Sequence, residues 1–517
     1  MNVRPFFIAG SGQLARGNIY SSVMNAVKLR AVMVDRRKTV RGTRDLALGE
    51  ALGFAANFVR YLVLARILGP ADFGVAATFA LTVQVLQTIS NMALNMLMVQ
   101  SKKGEEAALL ATAHSVQLAR GLINGALILA LAWPVSVMFG VPDARWAFQV
   151  LAVVPILEGF LHLDVCRMER TMRFRPGIAA GLVPKVLSAA AAWPVAAWLQ
   201  DYSASLWLLV GQGVVAVVAS HALAERPYKL AWDRASLAEI LGFGWPLLLN
   251  GMLFFTISQG DRLLVGTAYT MADLGLYTVS AGLVMTLSGS LFKVVQTLTL
   301  PPLSRAQDEA GEFLRRHKIC VGMFSAIAAL YGVVLIVGGE PLVVIFYGED
   351  YRAAGVLVGW LAASQAIRLL RLAPSLSAMA KGDTLCLMYA NVYRLAGVGA
   401  AVIAGVAGAD LAWVAASSVV GEMAALGYPL WRLSRRHHLP ASTCMRPFTA
   451  ALFCIGLSGV IVAAGARDAV IRGGLAVLAL GVVVLAGWAA VSFSSFRRRL
   501  AVVGNMLTAT QEGAERP

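Results

Sequence analysis

Basic and acidic side chains interrupt stretches of this 517-residue chain that are otherwise apolar. Arginine stays charged at physiological pH, and its guanidinium binds a phosphate or a carboxylate through two parallel hydrogen bonds. A carboxylate or an imidazole in the same surroundings can exchange a proton or bind a cation. The basic side chains therefore predict an anion-binding route, and the acidic ones predict coupling to an ion.

The basic residues that we expect to line such a route are spread over several apolar stretches. They are Arg60, Arg120, Lys293, Arg368, Arg371 and Arg394. The residues that we expect to couple to a proton or sodium gradient are Glu50, Glu158, His162 and Asp261. The alternative for each residue is a structural role, either in a pair between helices or as a side chain that reaches the membrane surface.

Neither a catalytic site nor a metal site is predicted. The five cysteines are not spaced as metal ligands or as a redox motif. No cluster of acid and base residues stands outside the apolar stretches. We therefore expect no enzymatic activity and no bound cofactor.

The composition identifies the elements that hold these residues as membrane helices. The chain is 58% hydrophobic and 14% charged, with a mean hydropathy of +0.70, whereas soluble domains carry about 25% charged residues. About fourteen segments reach the roughly 20 apolar residues that a helix needs to cross a bilayer. The sequence therefore predicts an all-α polytopic membrane protein with about fourteen transmembrane helices.

The positive charges alternate between successive loops. If the N-terminus lies in the cytoplasm, the loops on that side hold groups such as Arg167, Arg170, Arg173 and Arg175, whereas the opposite loops keep only Arg145, Arg352, Arg467 and Arg472. This is the pattern of the positive-inside rule, and it predicts an even number of spans with both termini in the cytoplasm. It also explains the net charge of +16 without nucleic acid as a partner.

One sequence pattern occurs twice. Residues 58–84 align with residues 258–285 through ADFG at 71–74 and ADLG at 272–275, which places Arg60 opposite Asp261. A second match pairs residues 138–153 with 345–360. Spans one to six therefore repeat as spans seven to twelve, and an even number of spans in each copy gives two parallel lobes.

This repeat divides the chain into five parts. We expect a basic cytoplasmic segment or an over-long start, an N-lobe with spans one to six, a C-lobe with spans seven to twelve, two further spans, and a cytoplasmic tail. These parts are residues 1–45, 46–223, 240–430, 447–494 and 495–517.

Several motifs, taken in order, resemble a known family. They are LARILGPADFGVAATF at 64–79, RTMRFRP at 170–176, FGWPLLLN at 243–250, SQGDRLLVG at 258–266 and ADLGLYTVSAGL at 272–283. Their order and spacing over residues 45–430 are similar to the polysaccharide-transporter branch, which includes Wzx-type oligosaccharide flippases, of the multidrug/oligosaccharidyl-lipid/polysaccharide exporter superfamily.

The resemblance implies two six-helix lobes around a central cavity that opens alternately to the two sides of a bacterial inner membrane. It implies a substrate carried by membrane lipid, namely an oligosaccharide repeat unit of an exopolysaccharide or O-antigen on undecaprenyl pyrophosphate. The substrate would move from the cytoplasmic to the periplasmic leaflet. A polysaccharide polymerase and a copolymerase are the implied protein partners, and the basic residues above would line the route.

Three other functions remain open at this point. The segment FVRYLVLARILG also resembles the first helix of lipid II flippases, which carry an arginine at the position of Arg60 but tend to carry aspartate where this chain has Tyr61. A membrane polymerase or glycosyltransferase would need a catalytic site on a sizeable loop, and the loops here are short. A drug exporter would favour an acidic pocket, whereas the apolar segments here are richer in arginine.

Overall fold

The computed structural model describes residues 12–90 and 92–464, and this part of the chain is built from helices and turns without a β-strand. The helices of its first half run in the order α1 Gly12–Ser90, α2 Leu94–Gln100, α3 Ala107–Met138, α4 Arg145–Leu151, α5 Val153–Gly159, α6 Asp164–Arg170, α7 Arg175–Leu199 and α8 Ser203–Ala222. The all-α membrane class predicted from the composition is confirmed.

The second half continues with longer helices. They are α9 Arg234–Ala268, α10 Met271–Arg305, α11 Ala310–Tyr347, α12 Ala354–Ala380, α13 Leu385–Val406, α14 Leu411–His437 and α15 Ser442–Ala463. The second of the two spans predicted within 447–494 and the tail at 495–517 lie outside the described residues.

The described residues contain ten helices that are long and apolar enough to cross a membrane, or eleven if the bent pair Pro142–Gly159 and Asp164–Arg170 forms one span. The count of about fourteen is therefore not confirmed. One of the ten, Leu48–Ser90, holds 43 residues, which as one straight helix would be roughly 65 Å long. This is about twice the hydrocarbon thickness of a bilayer, so the segment is too long for one straight span and the break inside it decides how it crosses.

The break in α1 is made by a glycine. Gly69 has φ 71° and ψ 170°, a conformation that residues with a Cβ adopt only with strain. Pro70 follows, and a proline has no backbone N–H to continue the helical hydrogen bonds. Tyr269 and Thr270 separate α9 from α10 at the equivalent place of the repeat.

The order of helix packing is similar in the two halves. Helix α3 packs on α4 and α5, and α7 packs on α8; in the second half α11 packs on α12, and α13 packs on α14. Helix α1 joins the halves because it contacts α7 on one side and α9 and α10 on the other. The lobe boundaries at 46–223 and 240–430 remain a prediction, and α1 runs through residue 45 without a break.

Candidate functional site

A cavity of about 330 Å³ lies between the two halves, bounded by α1 on one side and by α9, α10 and α11 on the other. Its aromatic lining consists of Phe54, Phe58, Tyr61, Phe73 and Tyr347. Its principal polar lining consists of Asn57, Gln84, Arg262, Thr278 and Thr286. Aromatic walls with a few convergent polar groups are typical of ligand sites in proteins.

Arg262 is the charged side chain of this lining. Its Nη1 donates a hydrogen bond to Oε1 of Gln259 at 3.1 Å, and its backbone N–H donates to Oδ1 of Asp261 at 2.8 Å. Within the described part of the chain no carboxylate lies within ion-pair distance of its guanidinium. Arg262 therefore keeps its charge available to a ligand in the cavity.

Sequence reasoning missed Arg262, although it lies in the SQGDRLLVG motif beside the predicted Asp261. Adjacent residues of a helix point about 100° apart, so the two charges face different surroundings. Asp261 accepts a hydrogen bond from the hydroxyl of Tyr277 at 2.6 Å and faces a second, smaller cavity.

Arg60 does not line the cavity between the halves. Its side chain is buried between α1, α7 and α8, where Nη1 donates to Oε1 of Gln212 and to Oγ of Ser188 at 3.4 Å. Its guanidinium carbon lies 5.0 Å from the ring centroid of Tyr61, which does line the cavity. The predicted route residue thus stands behind the cavity wall rather than on it.

Arg120 and Glu158 lie inside the first half, between α3 and α5. Oε1 of Glu158 accepts a hydrogen bond from Nε2 of Gln87 at 2.5 Å. The buried Nε of Arg120 has no hydrogen-bond partner among the described residues. Neither residue lines the larger cavity.

His162 and Glu158 are four residues apart but do not lie on one helix, because α5 ends at Gly159. His162 lies in the break before α6, where Nε2 is 3.0 Å from the carbonyl oxygen of Arg226. Its Nδ1 accepts a hydrogen bond from the backbone N–H of Asp164 at 3.1 Å. Both ring nitrogens of His162 therefore have a hydrogen-bond partner in the backbone.

Three of the predicted basic residues converge in the second half. Nε of Arg371 lies 3.1 Å from Oε2 of Glu422, and Nε of Arg394 lies 2.7 Å from Oε1 of the same carboxylate. Arg368 is next to this pair, with its guanidinium carbon 4.7 Å from the ring centroid of Phe292. Glu422 is 2% exposed and holds the arginine cluster together.

The smaller cavity adjoins this cluster. It has a volume of about 50 Å³, and its lining includes Asp261, Arg394 and Glu422. Glu422 was missed at the sequence level, although it is an acidic residue within an apolar segment, which is the criterion that selected the other candidates. The basic set therefore divides between separate places instead of lining one cavity.

The remaining two candidates, Lys293 and Glu50, form an ion pair. Nζ of Lys293 on α10 lies 3.5 Å from Oε2 of Glu50 on α1, and both side chains are more than half exposed. Nζ of Lys293 is also 5.6 Å from the ring centroid of Phe54, at the edge of the larger cavity. A residue predicted to bind substrate and one predicted to couple to an ion thus bridge the two halves.

The sequence is similar to a known protein family and to two known proteins. A family model described as "Polysaccharide biosynthesis protein" matches residues 63–355. The chain is 20% identical over 341 residues to the succinoglycan biosynthesis transport protein ExoT of Rhizobium meliloti (strain 1021), covering 65% of this chain and 67% of that protein. It is 20% identical over 286 residues to an uncharacterized membrane protein in the cps region of Klebsiella pneumoniae, covering 53% and 56% of the two.

Solved structures share the fold. The lipid II flippase MurJ in an inward closed conformation superposes with a TM-score of 0.64 at 13% identity, covering 88% of this chain and 99% of that one. An inward-facing multidrug resistance MATE family transporter of the MOP superfamily superposes with a TM-score of 0.55 at 14% identity, covering 75% and 95%. At these identities the likeness concerns the fold alone.

Proposed function

Because the chain belongs to the polysaccharide biosynthesis protein family, we propose that it moves lipid-linked oligosaccharides across a bacterial inner membrane. The proposed substrate is a repeat unit on undecaprenyl pyrophosphate, which passes from the cytoplasmic to the periplasmic leaflet by alternating access. The relative ExoT, a succinoglycan biosynthesis transport protein, supports this assignment. The proposed role is that of a transporter and not of an enzyme.

The cavity between the two halves is the observation that carries this proposal. It lies where two lobes that move against each other would expose a substrate first to one side and then to the other. Its volume of about 330 Å³ is at the small end for ligand sites and fits part of an oligosaccharide. The lipid tail of such a substrate needs no place in the protein because it can remain in the bilayer.

The chemistry of the lining suits a sugar chain with a negative charge. The aromatic rings offer flat apolar faces to sugar rings, and the amides of Asn57 and Gln84 can bind hydroxyl groups. Arg262 supplies the positive charge for a phosphate or an acidic sugar, which would otherwise be costly to bring to membrane depth. Arg262 thus takes the role that the sequence assigned to Arg60.

One of the acidic candidates, Asp261, has a proposed role in coupling transport to an ion gradient. We assign coupling to a proton or sodium gradient to Asp261, whose carboxylate adjoins the small cavity and accepts the Tyr277 hydroxyl. Asp261 is next to Arg262 in the chain, so a change of charge at one alters the field at the other. The polymerase and copolymerase remain proposed partners of the exported repeat unit.

The test is a comparison of Arg262→Ala with Arg262→Lys in a strain that lacks the chromosomal copy. Loss of a charge-assisted bond to the substrate predicts that Arg262→Ala reduces exported polysaccharide roughly tenfold or more, while Arg262→Lys keeps part of it. Arg175→Ala is the matched control because its side chain is 85% exposed and does not line the cavity. Normal export by an Arg262→Ala protein at wild-type membrane abundance would contradict the assignment.

The same strains separate the proposal from lipid II transport. The likeness to MurJ concerns the fold, so complementation of a strain depleted of its lipid II flippase is the direct test. We expect the protein to restore polysaccharide export in its own background and to leave the depleted strain unrescued. The reverse result would favour lipid II as the substrate.

A further inference from the structure

The two copies of the repeated motif touch each other at the end of the molecule where α1 breaks at Gly69 and α9 gives way to α10 at Tyr269. We call this the 69/269 end. A Cβ added to Gly74 would overlap the carbonyl oxygen of Met271, and a Cβ added to Gly275 would overlap the carbonyl oxygen of Pro70. Gly74 and Gly275 hold the same position in their copies of the repeat.

The contact is reciprocal. Pro70 and Met271 are also equivalent positions, each four residues before the glycine of its own copy. Each copy therefore offers a glycine to the other copy's backbone, as surfaces related by an approximate two-fold axis do. The contact joins backbone to backbone, so no flexible side chain can move aside to admit a larger residue.

The segments that meet there are held firmly. Thr270 and Asp273 form a capping box at the start of α10, with the Thr270 hydroxyl oxygen accepting from the Asp273 N–H at 3.2 Å. On α1, the glycine conformation at Gly69 sets the direction of the helix that carries Gly74. Overlap at the glycines would consequently push the two halves apart instead of being absorbed locally.

Other contacts join the halves at the same end. Nη1 of Arg66 on α1 donates to the carbonyl oxygens of Ile345 and Phe346 in the last turn of α11, at 2.8 and 3.1 Å. The rings of Phe73 and Tyr351 meet edge to face at 6.3 Å. Arginine at a helix C-terminus is favourable because it binds the free carbonyls and complements the helix dipole.

The cavity lies between this contact and a second set of contacts between the halves. On its other side the halves are bridged by the exposed pair Glu50–Lys293 at 3.5 Å. The halves also pack closely on this side, where a Cβ added to Gly244 of α9 would lie 3.0 Å from Cβ of Met92.

We propose that the reciprocal contact of Gly74 and Gly275 is the gate of the cavity at the 69/269 end, and that glycine at both positions is what allows this gate to close. The gate deepens the proposed function, on which it rests, because it separates the cavity from the side predicted to be periplasmic. Opening requires the two copies of the motif to separate in each transport cycle.

A thiol reporter in the cavity tests the gate. Thr278→Cys places the thiol on the cavity lining close to the 69/269 end, in a background without the native cysteines. A membrane-impermeant maleimide applied from the periplasmic side then measures how often the gate is open. We expect Gly74→Ala and Gly275→Ala each to raise the labelling rate by about tenfold or more, since overpacking opposes closure.

Two glycines provide the controls. Gly355→Ala introduces a comparable overlap between α11 and α12 of the same half, where the added Cβ would lie 2.5 Å from Cβ of Glu340. Gly399→Ala adds a Cβ in open space. Both should leave the labelling rate of Thr278→Cys within about twofold of the parent, because neither site lies between the halves.

Arg66→Ala provides a variant without overpacking. It removes the two hydrogen bonds to the end of α11, so it should raise labelling in the same direction even if a glycine variant fails to accumulate in the membrane. The reciprocity of the contact further predicts that the Gly74 and Gly275 variants have similar effects. Their double variant should label no faster than the product of the two single effects.

The outcomes separate the gate from the transport proposal. Unchanged labelling in folded Gly74→Ala, Gly275→Ala and Arg66→Ala proteins would overturn the gate, whatever the strain exports. Equal acceleration by Gly355→Ala would also overturn it, since general loosening would then explain the signal. Accelerated labelling that is confined to the three gate variants supports the gate even if the transported molecule is not an oligosaccharide.

Discussion

Replacing Glu422 with glutamine should destabilise the protein more than any other single change of charge in the second half. The carboxylate is 2% exposed and lies within 3.1 Å of Arg371 and 2.7 Å of Arg394. The Arg371 and Arg394 side chains are themselves 5% and 11% exposed. Glutamine keeps the size of the side chain and removes the only negative charge that both arginines contact among the described residues.

The expected magnitude follows from the burial of this cluster. Removing one partner of a buried ion pair typically costs about 3–5 kcal/mol, because the other charge is left uncompensated. Glu422→Gln leaves two arginines in that condition, with Arg368 close by. We therefore expect a loss of at least about 3 kcal/mol in the free energy of unfolding.

The assay is a double-mutant cycle on the purified protein. Unfolding by detergent titration is measured for Glu422→Gln, Arg394→Gln and the double variant. Because the double variant removes both charges of one pair, it should be more stable than the sum of the single effects predicts, by about 1 kcal/mol or more. Wild-type stability of Glu422→Gln, or strict additivity in the cycle, would refute the view that these arginines serve the fold.

Three further predictions concern other parts of the molecule. Hydrogen bonds from Arg432 lower the pKa of Asp383 to about 2. Because the pKa is lowered on folding, ionised Asp383 stabilises the protein fully above the ordinary pKa of 3.8, and this stabilisation is lost as the pH falls towards 2. The melting temperature of Asp383→Asn, measured against pH, should therefore lack this acid step. Gly69→Ala should cost about 1–3 kcal/mol through its backbone conformation, measured as lower thermal stability, and wild-type stability would contradict the strain at the α1 break. Glu50→Gln and Lys293→Gln should each change the free energy of unfolding by less than about 1 kcal/mol because the pair is exposed; a larger loss in either would show a buried pair.

The repeat made much of the fold predictable. Charge alternation and the match of residues 58–84 with 258–285 predicted a helical membrane protein with a duplicated segment. The structure breaks at equivalent places of the two copies, at Gly69 and before Met271. Apolar length and loop charge are local properties, so one sequence suffices to recognise them. The number of spans was less accessible, because Leu48–Ser90 continues over a length that could cross the membrane twice and α4, α5 and α6 divide another apolar segment into short helices.

The site was less predictable because it depends on the direction of each side chain. Arg60 and Tyr61 are adjacent, yet Arg60 turns towards Ser188 and Gln212 while Tyr61 faces the cavity. Which of the two points inward depends on the rotation of α1 against α7 and α10, and packing over long sequence distances decides that rotation. A charged residue in an apolar segment is structurally constrained, but the sequence does not show which residue it pairs with.

Lipid transport by the purified protein tests the proposed function without the cell. Vesicles are prepared with the protein and a labelled undecaprenyl-pyrophosphate oligosaccharide, and the appearance of sugar on the outer surface is followed by its capture with an impermeant lectin. We predict that the protein accelerates this appearance many-fold over empty vesicles and that Arg262→Ala loses about nine tenths of the acceleration. No acceleration by folded protein would contradict the proposed transport, and equal rates for wild type and Arg262→Ala would contradict the proposed role of Arg262.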